Sequence, residues 1–331
     1  MVRNPRRGFG RVFFASACPE NASGIDQRYP APLMSAAMET TNQTGELKAA
    51  PETRLFDASI LHDYADAELA KAIAHLGWRG GRLHEGVHQA RKSLRRVRAV
   101  IALGADVLGP GAALIDREVR RVNRRMSWMR DAQALVETLD RLLKHAKSPH
   151  ALPVLRRARR VAAQARADSA RRERAEDPDL AQKRLMLRTL RAALPALPWN
   201  ILTETRVRDA LGAGLARIET AGARARASGR DKDWHRWRRR VRRLSQQHRA
   251  LGNQIADLGF SRKRCKSLAE LLGEVQDHAL LREHCGRRSI FPEPDRDVLA
   301  ALADEGTQRM RERIEKSLEA PAVVSNDRSA E

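Results

Sequence analysis

Between positions 87 and 101, apolar residues recur at three- and four-residue steps: Val87, Ala90, Leu94, Val97 and Ile101. That period places them on one side of a helix. On the opposite side, His88, Arg91, Lys92, Arg95 and Arg96 recur at i, i+3, i+4, i+7 and i+8. The pattern then returns. Trp234, Trp237, Val241 and Leu244 repeat the apolar seam, and His235, Arg238, Arg239, Arg242 and Arg243 repeat the basic stripe. From His88 to His235 is a step of 147 residues, and every other position of the pattern keeps that step. One amphipathic helix design is used twice, each time presenting a row of cations.

The remaining chain also reads as helix. Leu61, Tyr64, Leu69, Ile73 and Leu76 form one face of a helix over about 55–76, which Gly77, Gly80 and Gly81 interrupt. Gly104, Gly109 and Pro110 end the first basic helix. A third helix is predicted over about 113–130 and a fourth over 131–145, closed by Ser148 and Pro149. A strongly basic segment covers 151–176, and a further helix follows from Leu180. Pro195 and Pro198 mark the boundary between halves. The second half carries a helix to Ser228, a turn at 229–231, the second basic helix to Leu251 and a helix from about Arg262. Pro292 and Pro294 then precede a last helix. The repeat extends beyond the stripes: Arg117 matches Lys263, Arg120 matches Lys266, and Asp131 matches Asp277, all at a step of 146.

The expected fold is therefore all-α, with two copies of a multi-helix unit over about 55–195 and 200–318. Residues 1–50 are rich in Pro, Ser, Thr, Asn and Gly without helical period. They read as a disordered extension; a targeting segment, or an upstream start ahead of Met34 or Met38, are the alternatives left open. Residues 319–331 read as a flexible tail.

Composition adds the sign of the partner. The 331 residues carry 63 Lys and Arg against 41 Asp and Glu, a net +22. Such self-repulsion calls for an anionic partner: nucleic acid, a phosphate polymer or an anionic membrane surface. No apolar run approaches the roughly 18 residues of a membrane span. The three cysteines, Cys18, Cys265 and Cys285, form neither a disulfide framework nor a metal knuckle, and the expected compartment is the cytosol.

Other motifs carry less. His84, Glu85 and His88 spell H-E-x-x-H. The second copy has Asp231 and Lys232 in place of His84 and Glu85, and Gly86 interrupts the motif, so no zinc site is expected. Trp234 and Trp237 sit on the apolar seam and are expected in the core rather than as stacking platforms. Asp131 and Asp277 are isolated from other acids and are expected to cap helices or pair with arginine.

The doubled pattern H-x-x-R-[KR]-x-x-R-R-[VL], carried by His88–Val97 and again by His235–Leu244, resembles the CHAD family, the conserved histidine α-helical domain. The segment Leu271–Asp277, LLGEVQD, looks like that family's second-half turn, and the resemblance covers about 55–318. It implies two pseudo-symmetric four-helix bundles whose basic residues line a central cleft or pore, and binding of inorganic polyphosphate without catalysis. Some members are fused to a β-rich triphosphate-tunnel module; none is visible here, which suggests a stand-alone member. Two positions depart from the family: Ser127 stands where it often has Gly, and Ser245 stands where the first copy has Arg98.

The chemistry suits the residues. Polyphosphate carries about one negative charge per phosphate and no bases to read. A helical stripe supplies donors about every 5 Å along its axis, with Arg as a fork and Lys as a point charge. The residues expected to bind are His88, Arg91, Lys92, Arg95, Arg96, Arg120, His235, Arg238, Arg239, Arg242, Arg243 and Lys266. No catalytic residue, metal or cofactor is expected. Docking on polyphosphate granules in the cytoplasm would follow. The alternative is non-specific nucleic-acid binding; a phosphohydrolase would need clustered acids or an activated nucleophile, and neither can be assembled.

Overall fold

Alanine, leucine and arginine, all strong helix formers, fill the segments between the Gly and Pro breaks. A computed structural model describes residues 56–252, 254–255 and 261–319. Among them are ten α-helices and no strand. In order these are α1 (Ser59–His75), α2 (Leu83–Ile101), α3 (Gly109–Arg125), α4 (Ser127–His145), α5 (Ala151–Glu176) and α6 (Ala181–Ala193). The second half holds α7 (Glu204–Ser228), α8 (Asp231–Leu251), α9 (Arg262–His284) and α10 (Glu293–Glu319). The readings made for residues 1–50 and for the tail past 319 lie outside the described residues.

The packing order repeats along the chain. In the first half α1 lies on α2, α2 on α3 and α4, and α4 on α5; in the second, α7 lies on α8, α8 on α9, and α9 on α10. The helix α6 packs on α1 and α3. The two basic helices, α2 and α8, pack directly on each other, and the buried Gln247 side chain donates to the Ala99 carbonyl at 3.1 Å. Their seams Val87, Ala90, Leu94 and Val97 and Trp234, Trp237, Val241 and Leu244 lie in one hydrophobic core. Leu135, Leu139, Leu155, Leu281, Phe291 and Leu299 form a second core that joins α4 and α5 to α9 and α10.

Two glycines set the helix crossings. A Cβ on Gly86 would sit 2.3 Å from the His75 carbonyl oxygen, so only glycine lets α1 end against α2 at that point. This is why a glycine interrupts H-E-x-x-H. A Cβ on Gly222 would meet the Trp237 indole at 2.9 Å, which brings α7 onto α8.

Several boundaries differ from those read off the sequence. The third helix starts at Gly109 with Pro110 in its first turn and ends at Arg125; Gly109 and Pro110 open α3 instead of closing α2, because proline is tolerated where the helix N–H groups have no intrahelical partner. The fourth helix starts at Ser127, not 131, and Ser127 Oγ donates to the Arg124 carbonyl at the junction. Pro294 lies inside the first turn of α10. The segment LLGEVQD forms no turn: it lies within the uninterrupted α9, since nothing in it removes an intrahelical hydrogen bond. Asp277 is consequently mid-helix and caps nothing.

Candidate functional site

Arg91 and Arg95 of the α2 stripe lie within electrostatic reach of Arg242 of the α8 stripe, and Arg95 of Arg238 as well. Arg95 lies between the two helices. Its pKa is well below the usual guanidinium range, first because of burial and then because Arg242, Arg91, Arg238 and Arg130 surround it. Arg242 is lowered by burial, and by Arg130 and Arg91 against the opposing pull of Asp277. Burial pushes Arg91 down to about 10 and, with Arg242, pushes Arg238 down to about 9. A guanidinium keeps its proton in proteins, so the protein holds four partly desolvated cations, two from each stripe, within mutual influence.

Hydrogen bonding leaves these groups incompletely satisfied. Arg91 Nη1 donates to the Asn123 carbonyl, but the buried Nε atoms of Arg91, Arg95 and Arg238 have no protein partner. The Arg238 guanidinium lies over Gly273, its Nη2 3.4 Å from where a Cβ would be. Asp277, a counter-charge to Arg238 and Arg242, is bound by Arg141 of α4 at 2.8 Å. Asp131 caps no helix; burial raises its pKa against Arg91 and Arg130.

The two stripe histidines flank this group. Burial, followed by Arg130, Lys92 and Arg95, drives His88 down to about 4. His235 is lowered mainly by burial, and its Nδ1 shares a hydrogen bond with Gln276 Oε1. Both rings are neutral near pH 7.

From Arg95 and Arg242 the site opens into a cavity of about 420 Å³. Its walls carry Arg95 and Arg98 from α2, Arg120 from α3, Arg217 from α7, and Arg236, Arg239, Arg240, Arg242 and Arg243 from α8, nine arginines in all. No acidic residue lines it. Arg98 is the best neutralised of the nine, held by Asp116 through two bonds of 2.8 and 3.1 Å. Arg239 is lowered by partial burial and then by Arg120, Arg236 and Arg240.

Of the twelve residues expected to bind, Arg95, Arg120, Arg239, Arg242 and Arg243 line this cavity, and Arg91 and Arg238 stand behind Arg95 and Arg242. Arg96 is placed elsewhere. It turns to α1 and bonds both oxygens of Glu68 at 3.1 Å, a carboxylate 1% exposed. Lys92 lies near Arg96 and Arg249, and Lys266 is exposed on α9; neither lines the cavity. Arg98, Arg217, Arg236 and Arg240 line it without having been expected. Arg236, Arg240 and Arg243 recur at i, i+4 and i+7, a second ridge on α8 that was legible; Arg217 carried no such signal.

Elsewhere, Trp234 and Trp237 are buried in the core. Among the described residues no group of three or more His, Cys, Asp or Glu could hold a metal ion. Cys265 and Cys285 are buried free thiols, and burial pushes Cys265 up to about 12. No described helix is long and apolar enough to cross a membrane.

A solved structure, PptA from Streptomyces chartreusis, is similar in fold, with a TM-score of 0.54 at 17% identity over 80% of this chain and 99% of that one. No curated protein matches the chain by sequence. The CHAD domain profile matches residues 63–286, most of the described helices, and the chain belongs to the CHAD domain family.

Proposed function

We propose that this protein binds inorganic polyphosphate, without chemical turnover, in the arginine cavity and along the stripes that lead into it. The observation that carries this reading is one cavity walled by nine arginines and no carboxylate, fed by both stripes. Cations held this close in a partly dry site repel one another, and an anion relieves that repulsion. The unpartnered Nε atoms of Arg91, Arg95 and Arg238 favour a bound acceptor. Membership of the CHAD family, which is associated with polyphosphate, points the same way.

In this reading α1, α2, the α3–α4 pair and α5 form one four-helix bundle and α7 to α10 the other, with α2 and α8 facing across a basic cleft on a pseudo-twofold. The repeated packing order supports it. Localisation to cytoplasmic polyphosphate granules is part of the same proposal. Non-specific nucleic-acid binding is the competing reading. Among the described residues Trp199, Trp234 and Trp237 are buried and Trp78 and Trp128 half-buried, which leaves little tryptophan surface there for bases to stack on.

Competition binding of polyphosphate against DNA of matched charge, at roughly 50 and 300 mM salt, separates the two. Polyphosphate binding that survives the higher salt while DNA binding is lost is the expected result. Loss of both together overturns the proposal.

A further inference from the structure

A second cavity, of about 430 Å³, shares no residue with the first. It lies where the turn at Gly80–Arg82 enters α2, against the C-terminal half of α5. Arg166, Arg171 and Arg174 of α5 face His84 of α2 across it. The backbone at Gly80 and Gly81 is open, with nothing within 4 Å of where a Cβ would stand. Arg166 Nη1 donates to Gln133 at 3.1 Å, yet its buried Nε and the buried His84 Nδ1 have no protein partner. The only acid lining this cavity, Glu85, is engaged by the Gln89 amide.

The position of this cavity relative to the first is the informative feature. His84, His88, Arg91, Arg95 and Arg98 follow one another at i, i+4, i+7, i+11 and i+14, which is a single ridge of α2. His84 lines the second cavity, and Arg95 and Arg98 line the first. The fourteen-residue step from His84 to Arg98 spans about 21 Å of helix axis.

We propose that the second cavity is an outer phosphate subsite, and that one polyphosphate chain lies along this ridge with a segment in each cavity. The inference rests on the reading of the arginine cavity as a polyphosphate site. A chain too short to span about 21 Å occupies one cavity at a time. A longer chain, once held in the first cavity, engages the second as an intramolecular step at high effective concentration. Affinity therefore rises steeply with chain length at the point where both cavities are reached.

The test uses the full-length protein with tripolyphosphate and long-chain polyphosphate as probes. Arg171→Gln/Arg174→Gln removes two exposed cations of the outer subsite. Arg156→Gln/Arg172→Gln removes two exposed cations of the same helix that line neither cavity. The first variant is expected to lose about tenfold affinity for the long chain and to stay within about twofold for tripolyphosphate. The second is expected to stay within about twofold for both. Equal losses in the two variants, equal losses on the two probes, or no loss at all would overturn the proposal. Failure of the unaltered protein to bind either probe would instead remove the polyphosphate reading on which it rests.

Discussion

Arg95 and Arg96 are adjacent on α2 and differ in what they face, so the same substitution at each has opposite consequences. Arg96 is 16% exposed and neutralises Glu68, which is 1% exposed. Burial raises the Glu68 pKa, but hydrogen bonds from Ser93, Arg96 and Lys71 outweigh it and hold the carboxyl below its ordinary value. Arg96→Met leaves that carboxylate with Lys71 as its remaining counter-ion, at 3.2 Å. Stranding a buried charge costs 3–5 kcal/mol, and with Lys71 still present about 3 kcal/mol is expected. In a domain of this size that lowers Tm by roughly 6–10 °C. Adding Glu68→Gln removes the stranded charge and is expected to recover most of the loss. Arg95 is surrounded by Arg242, Arg91, Arg238 and Arg130. Arg95→Met keeps the apolar stem, removes one of five mutually repelling cations, and leaves stability unchanged or higher by about 1 kcal/mol. Its cost falls on binding: a charge-assisted hydrogen bond contributes about 1.5–3 kcal/mol, or roughly 10–100-fold in polyphosphate affinity. Arg96→Met is expected to bind within about threefold of the unaltered protein. Thermal unfolding and titration calorimetry on the two variants and the double variant provide the measurement. If Arg96→Met loses binding as severely as Arg95→Met while keeping its Tm, the division between structural and ligand-facing arginines is wrong.

Four further predictions rest on single residues. Burial, with Arg130 next, holds His88 at about 4 against the 6.5 of the unfolded chain; the folded state binds fewer protons between those values, so stability falls as pH drops from 6.5 to 4, by up to about 3 kcal/mol from this group. Urea unfolding at pH 7 and 4.5 should show a smaller loss in His88→Gln, and an unchanged loss would exclude His88 as its source. A bound polyanion favours the protonated ring, so the polyphosphate Kd is expected to tighten as pH falls from 7 to 4.5, toward the folded-state value of about 4, and a flat profile over that range counts against contact with His88. Gly222→Ala drives a Cβ to 2.9 Å from the rigid Trp237 indole and is expected to cost 1–3 kcal/mol, read by denaturant unfolding; a neutral outcome would mean that α7 can shift off α8. Gly273→Ala meets Arg238 only at ordinary contact distance, so its gain in helix propensity should raise stability by about 0.5–1 kcal/mol, and a loss would show that Arg238 cannot give way.

Helix content and the two stripes were determined by the sequence, because the period that creates an amphipathic helix is local and α2 and α8 need no partner to show it. Net charge is likewise a sum over residues, so the expectation of an anionic partner needs no fold. Tertiary packing alone decided which cations remain available. Arg95 and Arg96 are indistinguishable in the pattern, yet one step of about 100° around the helix turns Arg96 to the buried Glu68 of α1 and Arg95 to the arginines of α8. Arg217 reaches the cavity because α7 packs on α8 with Gly222 against Trp237, a contact between residues fifteen apart in sequence and on different helices. The continuity of α9 through Gly273 departs from the turn that the family resemblance implied: here the glycine lies within the helix, where the Arg238 guanidinium rests against it. Charge and periodicity are properties of the chain, but whether a charge is neutralised depends on which neighbouring helix faces it, and that is set by packing.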